Sequence, residues 1–370
     1  MRKFIFCTTF LLSFLFSQAQ KTYHGLPVIT AKDSMADYRL GDDWYEGQWK
    51  ISPQITADTL TIQCFLPVED FTFYTDKDSI QFFLHPGQSH KFFVLLNDTS
   101  YAITVIQAIK PHFTTLTFDS VASLPAHLIY ENNNQNPYLI QLRDKYRIDR
   151  LVKGAESNSE RALKVMHWIH GLWKHDGYNA AEKKDALYIL EKAEKGDNFR
   201  CVEFGIVTAA CMNSIGLKAR VLSLKVKDVE TRLSGAGHVV AEVYLNDLKK
   251  WVLLDSQWDA MPVLHGIPLN AVEFQKAIKE HYSQLEISSL SGASKRMYTN
   301  WIYPYLYYFN CPFDNREGTD TEKLTIDGKK ALMLVPQGAK NPTVFQGKYK
   351  LDYCIYTHSL NDFYAPPVSH

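Results

Sequence analysis

The chain has 370 residues, of which 46% are hydrophobic and 22% are charged, close to the averages of globular proteins. This composition excludes a wholly disordered chain and a membrane-embedded helix bundle. Lysine plus arginine equals aspartate plus glutamate at 40 each, so no net positive field would attract nucleic acid, and we expect no nucleic-acid partner. A chain of this length usually folds into more than one domain.

The first 19 residues have the pattern of a secretory signal peptide. Arg2 and Lys3 form a basic start, residues 4–16 form an apolar run, and a small-residue cleavage site ends at Ala19. The apolar run is shorter than the roughly 20 residues that a membrane-spanning helix needs. We therefore expect cleavage near Ala19, export to the periplasm or the extracellular space, and no membrane insertion.

Residues 20–132 have the pattern of a β-sandwich-like domain. Segments 60–66, 80–84, 92–96 and 101–106 are rich in β-branched and aromatic residues, and turn pairs such as Pro86-Gly87 separate them. No cluster of polar residues in this region has a catalytic spacing. We interpret it as a spacer or as a domain that assists folding.

The turn-forming segment 132–137 leads into helical sequence that begins a second domain, predicted at residues 138–300. Ser157 and Glu160 fit a capping box that opens an amphipathic helix. His167 and His170 on this helix have the spacing of metal ligands, but no acidic or thiol ligand accompanies them on that face. We therefore expect neither a metal site nor a cofactor.

Five cysteines remain after the predicted leader is removed, and an odd number in an oxidising compartment leaves one thiol without an internal partner. Cys201 is the candidate for that thiol. The other interpretation is that all five are small buried hydrophobic residues. Cys311 and Cys354 could form a disulfide, which sequence alone does not test.

A helix is predicted to open near Cys201 and to stop at Gly216, with Asp197 or Asn198 as its N-cap. This places Cys201 in the first helical turn, where backbone N–H groups and the positive end of the helix dipole lower a thiol pKa. Cys211 lies deeper in the same helix, and we interpret it as a core residue.

A β-hairpin is predicted next, from strand residues 238–245, a turn at Asn246-Asp247 and a returning strand at 249–255. If the turn is symmetric, His238 stands opposite Asp255, within reach of a hydrogen bond. A loop with an odd number of residues, or a bulge, would place the two on opposite faces. A histidine held by a carboxylate is suited to activate a thiol or a hydroxyl.

Three segments, in this order along the chain, resemble the motifs of a known family: RCVEFGIVTAACMNSIGLKARVL, GHVVAEVYL and WVLLDSQWD. Over roughly residues 140–260 the chain resembles the transglutaminase-like superfamily of papain-type cysteine enzymes. The resemblance implies Cys201 as nucleophile, His238 as base and Asp255 as the residue that orients the histidine. Members often carry glycine at one of the two positions before the cysteine, where this chain has Phe199 and Arg200.

The resemblance implies an α+β fold in which the helix that bears the nucleophile packs on an antiparallel sheet. It also implies attack on an amide carbonyl, a thioester intermediate, and transfer to water or to an amine. The expected partner is a peptide, protein or cell-wall amide substrate. The alternative is an inactive relative that uses the same cleft for binding or scaffolding.

The oxyanion is expected to bind the Cys201 backbone N–H and one further donor. Trp168, Trp173 and Asn179 precede the nucleophile as such a donor would, although core packing is the favoured role for either tryptophan. Trp258 is expected to shield the histidine and the aspartate from water or to pack in the core.

Residues 301–370 are predicted to form a β-rich extension, with a hairpin around Asp327-Gly328. The aromatic run 301–309 could line a glycan or peptide cleft, although packing against the core is favoured. The oligomeric state stays open.

Overall fold

The structure is a computed structural model that describes residues 21–56, 58–122, 124, 128–131, 136–318 and 322–367. The chain divides into two compact units, Met1–His112 and Phe113–His370. The predicted signal peptide lies outside the described residues, as does most of the turn at 132–137. The division after His112 falls before the predicted boundary at residue 132, and the predicted boundary at residue 300 falls inside the second unit. As domain limits, these boundaries stay predictions.

β-Strands build the first unit. They are β1 (Thr22–Tyr23), β2 (Leu26–Ala31), β3 (Met35–Leu40), β4 (Asp43–Lys50), β5 (Asp58–Gln63), β6 (Glu69–Tyr74), β7 (Ser79–Leu84), β8 (Ser89–Leu96) and β9 (Ser100–Ile109). One sheet has the order β1-β2-β8-β9-β5 and the other has the order β4-β3-β6-β7. The four segments predicted as strands correspond to β5, β7, β8 and β9.

Both sheets of the first unit contribute to one hydrophobic core. Phe71 and Phe73 alternate along β6 and are fully buried, as is Phe92 in β8 of the other sheet. The ring centroids of Phe73 and Phe92 lie 5.1 Å apart. Because alternate side chains of a strand point to the same face, these contacts place the core between the two sheets. The predicted β-sandwich-like arrangement is confirmed.

The second unit combines helices with strands, which confirms the predicted α+β class. The helices are α1 (Pro137–Tyr146), α2 (Ile148–Leu151), α3 (Asn158–His170), α4 (Ala186–Ala193), α5 (Cys201–Ser214), α6 (Ala271–Glu280), α7 (Lys295–Ile302) and α8 (Leu360–Phe363), with a 3₁₀ turn at Tyr303–Tyr305. The strands are β10 (Ile129–Tyr130), β11 (Ala219–Lys225), β12 (Gly237–Leu245), β13 (Lys250–Leu254), β14 (Met261–Leu264), β15 (Ile267–Pro268), β16 (Leu285–Ser288), β17 (Tyr308–Pro312), β18 (Asp314–Asn315), β19 (Ala331–Leu334), β20 (Val344–Phe345), β21 (Tyr349–Lys350) and β22 (Cys354–Thr357).

The main sheet of this unit has the strand order β13-β12-β11-β17-β19-β22. Its neighbours pair antiparallel except for β19 and β22, which run parallel. Strands β17, β19 and β22 come from the segment predicted as a C-terminal β-rich extension. That segment therefore continues the sheet that carries the predicted histidine.

Helix α5 packs closely against β12. Nearly all of its residues after the first turn are buried, as expected for a helix that is apolar on all sides. A Cβ atom added at Gly205 would lie 2.8 Å from Cγ1 of Val239 and 3.0 Å from the carbonyl oxygen of Val240. A residue without a Cβ is required here because the helix approaches the strand so closely.

The β12–β13 hairpin forms as predicted, but its predicted register is wrong. Leu245 pairs with Lys250, so partner numbers sum to 495, whereas a symmetric turn at Asn246-Asp247 gives 493. The connection contains four residues, 246–249, and Lys249 adopts φ 52°. A shift of two residues keeps every side chain on its original face because side chains alternate with a period of two.

As a result of this shift, Asp255 lies diagonally from His238 instead of directly opposite it. Continuing the pair Ala241 and Leu254 by one step places Asp255 opposite Val240. A diagonal neighbour on the same face is still within reach of a long side chain. The contact that the wrong register predicted is therefore retained.

The hairpin predicted around Asp327-Gly328 is only partly right. The two residues do turn the chain, with φ 50° and 71°, but a single pair, Ile326 with Lys329, flanks the turn before β19 begins. Both edges of β19 are already occupied, by β17 and by β22. No edge is left for residues 324–326 to pair as a strand.

The disulfide considered between Cys311 and Cys354 is not formed, and both of these thiols are free. Cys311 lies in β17 and pairs with Leu332, whereas Cys354 lies in β22 and pairs with Ala331. Strand β19 thus separates the two cysteines by two strand spacings, about 10 Å. A disulfide needs Cα atoms within about 7 Å of each other.

Candidate active site

The thiol predicted as nucleophile lies at the beginning of α5. Cys201 is the first residue of the helix, and Arg200 is the N-cap, with no side-chain cap hydrogen bond. The predicted caps are therefore wrong, and the side-chain oxygen of Asn198 instead accepts a hydrogen bond from the backbone N–H of Lys174 at 2.8 Å. The uncapped helix start leaves the positive end of the dipole facing the sulfur.

His238 and Asp255 are joined by a hydrogen bond of 2.8 Å between Nε2 and Oδ2, and both side chains are buried. The carboxylate is itself held in place. Oδ2 also accepts from the hydroxyl of Tyr298 at 3.2 Å, and Oδ1 accepts from the backbone N–H of Gln257 at 3.1 Å. Because Nε2 is bound to the carboxylate, Nδ1 is the imidazole nitrogen that is left for the thiol.

The half-buried Cys201 thiol is surrounded by donors. Burial alone would raise its pKa, but hydrogen bonds from His175 and His238, the charge of His238 and the backbone N–H of Val239 outweigh that effect. Together they lower the pKa of the thiol to about 6. A thiol with this pKa is largely thiolate at neutral pH, which is the nucleophilic form.

His238 shifts in the opposite direction. Burial would lower its pKa, but the charge and hydrogen bond of Asp255, followed by the same two contributions from Cys201, raise the pKa to about 9. The thiol and the imidazole titrate as a pair. Between these two values the pair is a thiolate beside an imidazolium, which is a nucleophile beside a proton donor.

Phe199 and Arg200 stand where the resemblance leads one to expect glycine before the nucleophile, and Arg200 pairs with Glu203. The carboxylate of Glu203 is buried and accepts from Nη2 of Arg200 at 2.8 Å and from the backbone N–H of Ala181 at 3.2 Å. The hydrogen bond that Arg200 donates to Glu203 is the main reason that the pKa of Arg200 is raised. This ion pair connects the segment before the nucleophile to the loop around residue 181.

Aromatic side chains cover the histidine. The ring of Trp301 meets the imidazole of His238 edge-on at 4.7 Å between centroids, and the ring of Tyr305 lies 6.0 Å away. Trp258 packs on Trp301 at 5.1 Å and on Tyr298 at 5.7 Å. The aromatic run 301–309 therefore contributes to the site, and Trp258 packs beside the carboxylate as expected. Aromatic side chains around the ion pair exclude water, which strengthens the attraction between its two charges.

The side chains considered as oxyanion donors have other contacts. Trp173 is buried, with its ring 4.4 Å from that of Phe204, which agrees with core packing. Asn179 donates to the backbone oxygen of Asn198 at 2.8 Å. The ring of Trp168 packs 6.1 Å from that of Tyr146.

The two histidines of α3 are held by the chain after Asp255. His167 Nδ1 lies 3.0 Å from Oδ2 of Asp259, and His170 Nδ1 lies 3.1 Å from the backbone oxygen of Ser256. Across the described ranges, no group of three or more histidine, cysteine, aspartate or glutamate side chains is placed to hold a metal ion.

His175 is the contact residue that sequence reasoning missed. A hydrogen bond from its side chain is among the causes that lower the pKa of the Cys201 thiol, and its backbone forms a parallel bridge with Phe199. It lies in an exposed loop with no periodic pattern, so spacing rules did not point to it. Only the bridge, between segments far apart in sequence, places it beside the sulfur.

Part of the second unit is similar to a known protein family. Residues 145–256 match the family model described as the transglutaminase-like superfamily. The match contains Cys201, His238 and Asp255, and it falls within the range over which the sequence resemblance was predicted. No curated protein sequence matches the chain significantly. The catalytic roles of Cys201, His238 and Asp255 stay predictions.

Three solved structures show partial similarity to this chain. A proposed cysteine protease from Cytophaga hutchinsonii shows 14% identity and a TM-score of 0.27, covering 38% of this chain and 46% of that one. A transglutaminase shows 20% identity and a TM-score of 0.23, with coverages of 32% and 30%. Red sea bream transglutaminase shows 11% identity and a TM-score of 0.23, with coverages of 52% and 38%. The chain spans less than half the length of each of these structures.

Within the described residues, no helix has the length and apolar character needed to cross a membrane.

Proposed function

We propose that this protein is an exported cysteine enzyme that cleaves or transfers amide bonds through a thioester on Cys201. The observation that carries the proposal is the 2.8 Å hydrogen bond between His238 and Asp255, beside a Cys201 thiol whose pKa His238 helps to lower to about 6. A thiol beside a carboxylate-oriented imidazole is the arrangement that nucleophilic acyl transfer needs. The transglutaminase-like match over residues 145–256 supports the same reaction class.

In the first half of the proposed reaction, the Cys201 thiolate attacks the amide carbonyl carbon and the carbonyl electrons move to the oxygen. When the oxyanion collapses, the carbon–nitrogen bond breaks and the His238 imidazolium gives its proton to the departing amine. A thioester on Cys201 and a neutral imidazole remain. Asp255 keeps the ring oriented through Nε2 throughout, with Tyr298 and Gln257 fixing the carboxylate.

In the second half, neutral His238 takes a proton from the acceptor, which attacks the thioester. Water gives a carboxylic acid, whereas a primary amine gives a new amide, and the sulfur leaves as thiolate beside the regenerated imidazolium. The substrate class we propose is an amide of an exported peptide or protein, or of cell-wall material. The proposed location follows from the basic and apolar leader at residues 1–19.

The test compares the wild-type protein with Cys201→Ala on three readouts. These are release of ammonia from a glutamine peptide, incorporation of a labelled primary amine into that peptide, and release of soluble fragments from cell-wall peptides. Any turnover that depends on Cys201 supports the proposal, and amine incorporation distinguishes transfer from hydrolysis. Equal signals from both proteins would contradict the enzyme reading and favour a binding module with the same cleft.

A further inference from the structure

Two imidazoles contribute hydrogen bonds that lower the pKa of the Cys201 thiol. One is His238, which is buried and bound to Asp255. The other is His175, which is exposed and belongs to the loop between α3 and α4. The mechanism above uses only the first, so the second contact on the reacting atom needs its own explanation.

The loop that carries His175 is fixed to the segment just before the nucleophile. His175 and Phe199 form a parallel bridge, in which the backbone N–H of Asp176 donates to the Phe199 oxygen at 2.9 Å. Two further hydrogen bonds join the loop to Asn198. The backbone N–H of Lys174 donates to the Asn198 side chain, and the Asn179 side chain donates to the Asn198 backbone oxygen, both at 2.8 Å. An exposed residue held between such bonds is positioned in advance of substrate binding.

We propose that His175 is a catalytic hydrogen-bond donor that binds the sulfur in the resting state and the carbonyl oxygen once the sulfur has attacked. The argument rests on the proposed function. The attacked carbon is bonded to both the sulfur and the oxygen, so negative charge moves from one atom to another only two bonds away. A donor already in contact with the first atom is therefore close to the second.

This role is distinct from the role of His238. Asp255 binds Nε2 of His238 and keeps that ring as the proton carrier, whereas none of the contacts described for His175 is to a carboxylate. A hydrogen-bond donor placed at the oxyanion stabilises it without transferring a proton. His175 would thus supply the side-chain donor for which Trp168, Trp173 and Asn179 were considered.

Two chemical probes separate oxyanion stabilisation from thiolate formation. p-Nitrophenyl acetate acylates a thiolate through a tetrahedral oxyanion, whereas iodoacetamide alkylates it by displacement with no oxyanion. The ratio of the two rate constants cancels the thiolate fraction at each pH. Mass spectrometry assigns both modifications to Cys201 among the other cysteines.

We expect His175→Ala to lower the ratio of acylation to alkylation by about 10²-fold, the effect of removing one oxyanion donor. His175→Gln keeps an N–H donor and should restore most of the ratio. Asn179→Ala, which loosens the loop, should fall between wild type and His175→Ala. Tyr178→Ala is the matched control, because this side chain in the same loop is fully exposed, and it should leave the ratio unchanged.

An unchanged ratio of acylation to alkylation in His175→Ala overturns the assignment. If both rates fall by the same factor, the ratio is unchanged and His175 acts only in forming the thiolate. The outcome is independent of the natural substrate. If His175→Ala lowers the ratio but no amide is ever turned over, the assignment of His175 stands and the proposed function fails. If amide turnover depends on Cys201 but His175→Ala leaves the ratio unchanged, the proposed function stands and the assignment of His175 fails.

Discussion

The pKa of a cysteine thiol is shifted in opposite directions at two positions of helix α5. At the first turn of α5 the pKa of the Cys201 thiol is lowered to about 6, against the effect of burial. In the interior of the helix, burial and then the charge of Glu317 raise the pKa of the Cys211 thiol far above its usual range. Burial acts in the same direction on both thiols, so the donors around Cys201 account for the difference.

This comparison teaches that the chemistry depends on what converges on the helix start. The donors to the Cys201 sulfur come from the loop that carries His175 and from the first residues of β12. Cys211 has the same helix and a more apolar environment, and it is held in its neutral form. The predictions below test whether the two thiols differ as this account requires.

The largest effect is expected from removing the thiol at the helix start. Cys201→Ala should reduce amide turnover to background, because no other group in the site forms the thioester. The measurement is kcat/KM on the best substrate found, with the fold checked by circular dichroism. Residual turnover well above background would mean that another residue carries the reaction.

A smaller effect is expected from the carboxylate that orients His238. Asp255→Asn should lower kcat by roughly 10³- to 10⁴-fold, because an amide stabilises the wrong imidazole tautomer. The matched control is Tyr298→Phe, which removes only one hydrogen bond to the same carboxylate and should cost roughly tenfold. If the two variants lose equal activity, Asp255 does not act through the charge and tautomer of His238.

The pH profile should show both members of the ion pair. Below about pH 6 the thiolate gains a proton, and above about pH 9 the imidazolium loses one, so kcat/KM should fall roughly tenfold per pH unit outside this window. In Asp255→Asn, the upper limb should move to lower pH because the charge that raises the pKa of His238 is gone. Alkylation of Cys201 by iodoacetamide should show the lower limb alone. If alkylation of Cys201 is half-maximal near pH 8.5, the ordinary pKa of a thiol of about 8.5 applies and Cys201 is not activated relative to Cys211.

The smallest effect on activity is expected at the other thiol. Cys211→Ala should leave kcat/KM within about twofold of wild type, while lowering the free energy of unfolding by about 1 kcal/mol through the space it vacates. Urea denaturation measures the stability. A large loss of activity without loss of stability would show that Cys211 acts on the site.

Much of the site could be predicted because its signals are local. A cysteine before an apolar helical run, a histidine opening a strand and an aspartate closing the next strand lie within residues 201–255. The predicted register was wrong because Asn246-Asp247 has the composition of a two-residue turn, while the actual turn also includes Leu248 and Lys249. Composition favours a turn without fixing its length.

The features that sequence reasoning missed depend on contacts between distant segments. His175 reaches the sulfur through a bridge to Phe199, and Trp301 covers His238 from beyond the hairpin. The separation of Cys311 from Cys354 depends on the position of β19 between their strands. Neither residue spacing nor propensity specifies which segments become neighbours in a sheet.

The even length of the β12–β13 connection has a consequence for how this hairpin tolerates change in length. Adding or removing two residues in the connection would shift the pairing yet leave the imidazole and the carboxylate facing the same layer. One extra residue would turn them to opposite sides unless a bulge absorbed it. An engineer who grafts a longer loop here should therefore add residues in pairs.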